Sequence, residues 1–184
     1  MKFIPQAISD IILLKPVIHG DDRGYFIETF RQDLLEEFLG YDVNFVQDNE
    51  SKSSKGVLRG LHYQLPPFDQ SKLVRVIYGS ILDVAVDIRQ SSPTFGKHVA
   101  VELTSENKCQ LFVPSGFAHG FVVLSDTAII NYKVDNYYSK KCDRGIAFND
   151  EDLLIDWTYP LGEIKLSNKD KLHPKLSDVI DLFK

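Results

Sequence analysis

The sequence contains few of the residues that small proteins use for covalent or metal cross-links. Only two of its 184 residues are cysteines, Cys109 and Cys142, and neither belongs to a Cys-x-x-Cys pair. Two cysteines cannot form a disulfide framework, and we expect both to be packing residues. Because this length suffices to bury one hydrophobic core, we expect a single domain over residues 1–184 that needs no cross-links.

Long apolar runs and an excess of positive charge are also missing. No run reaches the roughly 18 apolar residues that cross a bilayer, and residues 1–6 lack the apolar core of a signal peptide. We therefore expect a cytoplasmic protein without a membrane partner. The 21 basic residues are outnumbered by 26 acidic ones, and this net charge of −5 argues against a general nucleic-acid-binding surface.

Helical periodicity is sparse, and short apolar runs separated by turn residues dominate instead. The predicted strands are residues 73–78, 81–88, 99–103, 110–113, 120–124 and 127–134. This spacing is typical of a β-sandwich or barrel. We also predict a tight hairpin turn at Gly79 and Ser80, a helix over residues 31–39 capped by Gly40, and a short helix from Ser177. The fold class is thus mainly β with a few accessory helices.

The run 81–88 shows the clearest alternation of the residues expected on the two faces of a strand. Val84, Val86 and Ile88 are predicted on one face of the strand, and the other face carries Asp83, Ala85 and Asp87.

The segment 55–75 concentrates positive charge in an acidic chain. It carries four basic residues against the single acidic Asp69, a local charge of +3, and the basic residues are Lys55, Arg59, Lys72 and Arg75. This charge predicts an anion pocket, with a solvated charged loop as the alternative. Arg59 and His62 can converge on one ligand, the guanidinium holding phosphate oxygens while the imidazole moves a proton.

Two histidines in glycine-rich apolar context raise the possibility of a metal site. The patterns Gly56-x5-His62 and Pro114-x-Gly116-x-x-His119 resemble the two halves of the cupin motif, whose members often bind a metal through three histidines and a carboxylate. Gln64 stands where the second histidine is expected, and the carboxylate is not in register. We therefore expect a cupin-like barrel without a catalytic metal, because two imidazoles alone make a weak site. A structural alternative for His119 is a hydrogen bond to a buried carboxylate such as Asp83.

A proton-transfer enzyme without a metal needs a base, a group that orients the base, a cation or donor for the enolate, and an acid. His62 is the natural base because the ordinary pKa of histidine lies near neutrality. The candidates for its orienting carboxylate are Asp83, Asp87 and Asp170, and the candidate acids are Tyr132, Tyr137 and Tyr138. Spacing does not choose among them.

Seven motifs in series point to a family. They are DRGYFIE (22–28), FVQDN (45–49), GVLRGLHYQ (56–64), KLVRV (72–76), DVAVDIR (83–89), SPTFG (92–96) and PSGFAHG (114–120). Over nearly the whole chain the sequence resembles the dTDP-4-dehydrorhamnose 3,5-epimerase family. The resemblance implies a cupin-like double-stranded β-helix (jelly roll), a homodimer, no cofactor, and action on the nucleotide sugar dTDP-4-dehydro-6-deoxy-D-glucose.

The resemblance also assigns roles. His62 is the base, Asp170 orients it, Tyr132 is the opposing acid, and Lys72 stabilises the enolate oxygen. The implied diphosphate contacts are Arg23, Arg59 and Lys169, and the implied nucleotide contacts are Glu28, Gln47 and Asn49. Tyr138 is expected to stack on the thymine and His119 to touch the sugar. Asp48 and Asp143 complete the predicted binding set, and Asp143 stands where the family commonly has Glu.

Three alternatives remain open on the sequence. The first is an epimerase acting only at C3 or C5, or a ketoisomerase, on the same scaffold. The others are a metal-dependent cupin enzyme, disfavoured by the missing ligands, and a non-catalytic sugar-binding module, disfavoured by the intact base, acid and cation.

Overall fold

The computed structural model describes all 184 residues and is built mainly from antiparallel strands. In chain order these are β1 (Lys2–Pro5), β2 (Ile12–Lys15), β3 (Ile18–Asp21), β4 (Gly24–Ile27), β5 (Gln47–Ser54), β6 (Leu58–Gln64), β7 (Lys72–Tyr78), β8 (Ser80–Asp87), β9 (His98–Thr104), β10 (Gln110–Val113), β11 (Phe117–Val123), β12 (Thr127–Val134) and β13 (Asp143–Gly145). The one α-helix, α1, spans Gln32–Leu39, and single 3-10 turns occur at Glu151–Leu153, Leu161–Glu163, Asp170–Leu172 and Leu176–Asp178.

Two sheets form the body of the protein. One has six strands in the order β1, β2, β10, β7, β12, β5, and the other has five in the order β13, β6, β11, β8, β9. Strands β3 and β4 form a separate hairpin. This architecture confirms the predicted jelly roll, since strands adjacent in sequence repeatedly lie in different sheets.

Strand β8 is buried on both faces, and its alternation shows what covers each one. Ile81 and Ala85 belong to a core shared with β7 and β12 of the opposite sheet. Val84, Val86 and Ile88 pack instead with Trp157 and other residues of the carboxyl-terminal segment, which covers the outside of the five-stranded sheet. The predicted face of these three residues is therefore confirmed.

The predicted helix is confirmed to within one residue. Leu35 is buried against Leu14, Leu73 and Phe112 on the outer face of the six-stranded sheet. Gly40 ends the helix at φ 76°, a left-handed conformation that glycine adopts without steric cost, and its N–H bonds the carbonyl of Glu36. None of the helices is long and apolar enough to span a membrane.

Two local predictions are wrong. Gly79 and Ser80 do not close a hairpin, because β7 pairs with β10 and β12 whereas β8 pairs with β9 and β11. The chain crosses between the sheets there, with Gly79 at φ 79° pressed against the carbonyl of Thr127. The helix predicted from Ser177 is only the 3-10 turn Leu176–Asp178.

Candidate active site

A cavity of about 560 Å³ lies between the two sheets. Strands β6 and β11 line it from the five-stranded sheet, β5, β7 and β12 line it from the six-stranded one, and residues 165–170 complete the wall. Its charged, histidine and tyrosine lining residues are Arg59, His62, Tyr63, Lys72, His119, Tyr132, Tyr138, Asp143, Lys165, Lys169 and Asp170. All four predicted catalytic residues are in this set.

His62 and Asp170 form a hydrogen-bonded pair in the cavity wall. His62 Nε2 lies 2.6 Å from Asp170 Oδ1, and the side chains are 33% and 4% exposed. The other two candidate carboxylates are engaged elsewhere, since Asp83 contacts His119 and Asp87 accepts hydrogen bonds from Arg89, Ser92 and Thr94. Because Nε2 faces the carboxylate, Nδ1 is the nitrogen left with a lone pair in the neutral ring.

The surroundings of this pair favour a neutral His62 and an ionised Asp170 near neutral pH. Burial lowers the pKa of His62, and Lys72 and Lys169 lower it further against the attraction of Asp170. For Asp170, burial favours the protonated acid, but the imidazoles of His173 and His62 outweigh it and hold the pKa of Asp170 below its ordinary value. A neutral imidazole beside an ionised carboxylate is the state that a general base requires.

Lys72 is the cation in the cavity that acts on the His62–Asp170 pair. It begins β7, and burial lowers the pKa of its ammonium group to about 8, against the attraction of Asp83 and Asp143. Neither carboxylate hydrogen-bonds it, so it acts on its surroundings through space. At neutral pH it is positively charged and can stabilise a developing oxyanion.

His119 is the register partner of His62 on the neighbouring strand β11. Its Nε2 lies 2.9 and 3.1 Å from the two oxygens of the fully buried Asp83. The hydrogen bond suggested as a structural alternative is therefore present, and the same ring also lines the cavity. Gln64 does not take a ligand's place, because its side chain bonds the backbone of Phe68 and Ser139.

Arg59 and His62 reach the same cavity although they are three residues apart on a strand. Residues 59 and 62 of β6 pair with 121 and 119 of β11, so three steps on one strand match two on the other. Such a bulge brings two side chains of odd spacing to one face. Arg59 Nε donates to Ser53 Oγ at 3.1 Å.

Tyr132 approaches from the opposite wall, since β12 and β6 belong to different sheets. Burial raises the pKa of its phenol, with Arg59 opposing the shift. It is therefore protonated at neutral pH and available as an acid.

A cluster of Tyr138, Asp143 and Lys169 also lines the cavity. Tyr138 is 61% exposed, and its hydroxyl donates to Asp143 Oδ2 at 3.0 Å. Lys169 pairs with the same carboxylate oxygen. Asp143 therefore contacts both Tyr138 and Lys169.

Positive charge reaches the cavity from two distant segments. Of the four basic residues in segment 55–75, Arg59 and Lys72 line the cavity and Lys55 and Arg75 do not. Lys165 and Lys169 supply the rest, and Lys165 is a residue that the sequence reasoning missed. Its position depends on the bridge between Val57 and Lys165, which no local pattern reveals.

Five predicted binding residues lie outside the cavity lining. Gln47 and Asn49 share the face of β5 that carries the lining residue Ser51, and they bond each other at 2.7 Å. Asp48 points to the other face and forms a salt bridge with Lys133. The other two are Arg23, at the exposed tip of the β3–β4 hairpin, and Glu28, 3.5 Å from Arg31.

One set of side chains has the composition and spacing of a metal-binding group. The donor atoms of His62, Asp170 and His173 all lie within 4.8 Å of one another. His62 is shared with the cupin pattern, but the other two residues are not.

Comparison with known proteins identifies close relatives over the full length of the chain. The family model described as dTDP-4-dehydrorhamnose 3,5-epimerase matches residues 5–178. Proteins named dTDP-4-dehydrorhamnose 3,5-epimerase from Shigella flexneri and Escherichia coli K12 are 55% and 52% identical, covering 92% and 99% of this chain and 93% and 98% of theirs. A crystal structure of a dTDP-6-deoxy-D-glucose-3,5-epimerase from Legionella pneumophila in complex with dTDP-4-keto-L-rhamnose superposes with a TM-score of 0.95 at 45% identity, covering 100% of this chain and 97% of the other.

Proposed function

Since the chain belongs to the dTDP-4-dehydrorhamnose 3,5-epimerase family, we propose that it converts dTDP-4-dehydro-6-deoxy-D-glucose to dTDP-4-dehydro-L-rhamnose by inverting C3 and C5. The observation that carries this proposal is the hydrogen-bonded His62–Asp170 pair in a cavity that also contains Lys72 and Tyr132. The relative from Legionella pneumophila carries dTDP-4-keto-L-rhamnose. Substrate and product have the same oxidation state, so the reaction needs no redox cofactor.

The first step is removal of a proton from a carbon next to the C4 ketone. Asp170 accepts the hydrogen bond of His62 Nε2 and leaves the lone pair on Nδ1, which takes the proton. The C–H electron pair becomes the enolate double bond, and the carbonyl oxygen becomes an oxyanion. The imidazolium that forms is stabilised by the ionised carboxylate 2.6 Å away.

The enolate is then stabilised and reprotonated from the other side. The Lys72 ammonium offsets the oxyanion charge in a cavity where electrostatic interactions are stronger than in water. Tyr132 stands on the opposite sheet and donates its phenolic proton to the other face of the carbon. That transfer inverts the configuration, and exchange with solvent restores both side chains. The same cycle at the second carbon completes the reaction.

Binding of the diphosphate is assigned to the basic residues of the cavity. Arg59, Lys165 and Lys169 carry positive charge there, and arginine matches phosphate oxygens with its planar fork. The exposed ring of Tyr138 is positioned to stack on the base, and His119 to contact the sugar. The charged diphosphate ester does not cross a bilayer unaided, which supports action in the cytoplasm.

We further propose that the functional form is a homodimer of one domain per chain, residues 1–184. The β3–β4 hairpin exposes Tyr25 and Phe26 at 59% and 65%, which favours coverage by a second copy. Arg23 and Glu28 flank these rings in the sequence and do not line their own cavity, so a second copy's cavity is a place where they can contact nucleotide. Light scattering tests the assembly: a dimer mass that Phe26→Asp reduces to one chain supports it, and a monomeric wild type contradicts it.

The reaction is tested by incubating the purified protein with dTDP-4-dehydro-6-deoxy-D-glucose and identifying the product by NMR. We expect inversion at C3 and C5, and His62→Asn should lower kcat by about 10²–10⁴-fold, the usual contribution of a general base. His98→Asn is the matched control, because His98 lies on β9 outside the cavity. Inversion at only one carbon would support a single-site epimerase. A product whose carbonyl has moved to C3 would support a ketoisomerase. An inactive, folded wild type would contradict the proposal.

A further inference from the structure

His62, Asp170 and His173 come from two elements that meet at the edge of the cavity. Asp170 begins the 3-10 turn Asp170–Leu172, and His173 is the residue directly after that turn, three positions after Asp170. Side chains three apart on a 3-10 turn lie above one another, so the Asp-x-x-His spacing places both on one side. His173 Nε2 lies 3.4 Å from the same Asp170 oxygen that His62 contacts at 2.6 Å.

The fold makes room for His173, which exchanges no proton in the catalytic cycle described above. A Cβ on Gly145 would collide with the imidazole of His173, and Gly145 is the register partner of His62. The His173 side chain is only 9% exposed, and its Nε2 has no hydrogen-bond partner. A buried nitrogen without a partner, directed at a carboxylate, is a donor atom available to a ligand.

Two imidazole nitrogens and one carboxylate oxygen are a donor set for a divalent transition metal. Zinc binds such ligands at about 2.0–2.2 Å, so two ligand atoms on a tetrahedral ion lie about 3.4 Å apart. The His173–Asp170 distance of 3.4 Å already fits. The His62–Asp170 distance of 2.6 Å must lengthen by about 0.8 Å, and the one-third exposed His62 ring has room to move.

We propose that His62, Asp170 and His173 bind a zinc ion that switches the enzyme off. The chemistry of His62 determines whether bound zinc activates or inhibits the enzyme. A zinc–nitrogen bond at Nε2 uses the lone pair there, and the proton that Nε2 donated to Asp170 moves through solvent to Nδ1. Nδ1 is then an N–H donor and no longer a base. The zinc is therefore an inhibitor, which distinguishes this site from a catalytic cupin metal centre.

Zinc binding itself is measured without substrate, because the diphosphate also binds zinc. Calorimetry of EDTA-treated protein with ZnCl2 should show one site, and a zinc-soaked crystal should show anomalous density between the three side chains. Loss of an outer-shell partner weakens metal binding by about 10–100-fold, so His173→Asn, which removes a ligand, should weaken it by at least about 100-fold. The matched control His98→Asn should bind zinc like the wild type.

The inhibition rests on the proposed function, whereas the binding measurements do not. Zinc should abolish turnover of the wild type, and EDTA should restore it. The turnover that His173→Asn shows in EDTA should be little reduced by the same zinc concentration. Zinc density absent from these side chains, or equal inhibition of His173→Asn, would overturn the inference. If that variant does not fold, the presence or absence of zinc density in the wild-type crystal alone tests the inference. Failure of the proposed function would appear separately, as no turnover in EDTA.

Discussion

Replacing Asp170 by asparagine tests the role of the buried carboxylate with almost no change of shape. The asparagine amide is neutral, so the imidazolium formed during proton abstraction loses its counter-charge. The amide can also donate to His62 Nε2, which would place the lone pair on the wrong nitrogen. A hydrogen bond to a charged group contributes about 1.5–3 kcal/mol, which corresponds to about 10–150-fold in rate.

The tautomer change adds to that loss. The same substitution in the serine protease triad lowers kcat by about 10⁴-fold, which sets the upper bound expected here. We therefore expect kcat to fall by about 10²–10⁴-fold in Asp170→Asn. KM should change little, because the carboxylate contacts His62 and not the diphosphate residues.

The assay is turnover followed by NMR, with thermal unfolding to show that the variant is folded. Asp178→Asn is the matched control, since Asp178 is an exposed aspartate on the next 3-10 turn and should retain wild-type kcat. A folded Asp170→Asn protein within threefold of the wild-type kcat would refute the assignment of Asp170 as the orienting group.

Three further predictions follow from the cavity and its strands. Lys72 loses its charge as the pH rises through its pKa of about 8, so kcat/KM should fall above that pH. The variant Lys72→Arg should move this decline to higher pH. A wild-type kcat/KM that stays constant up to pH 9.5 would contradict this prediction. Tyr132→Phe should suppress formation of the inverted product while solvent exchange is partly retained, and equal loss of both would show that Tyr132 is not the opposing acid. Gly120→Ala places a Cβ 2.8 Å from the carbonyl oxygen of Arg59, so denaturant unfolding should show a loss of about 1–3 kcal/mol. Gly162→Ala, with nothing within 4 Å of its Cβ, should leave stability unchanged, and equal stabilities of the two variants would contradict the clash.

Local patterns predicted the elements of the fold well and their connections less well. Alternation identified β8 and the face of Val84, because successive side chains on a strand point to opposite faces. The dipeptide Gly79-Ser80 led to a wrong hairpin prediction, since a glycine in a left-handed conformation occurs both in hairpin turns and where a chain crosses between sheets. Which one forms depends on the distant strands that pair with β7 and β8.

The candidate site divides in the same way. The density of Arg59, His62 and Lys72 was visible in one segment, but the carboxylate partner of His62 lies 108 residues away. Residue types left Asp83, Asp87 and Asp170 as equals, and only the family resemblance favoured Asp170. Lys165 and His173 escaped notice because long-range contacts place them, although the Asp-x-x-His spacing was a local signal for His173.

Deuterium incorporation tests the central claim most directly. The substrate is incubated with the protein in deuterium oxide, and the product is analysed by NMR at C3 and C5. Proton abstraction by His62 and reprotonation from the opposite face predict solvent deuterium at both carbons with inverted configuration. Product formed by an active, folded protein without deuterium at either carbon would contradict the account.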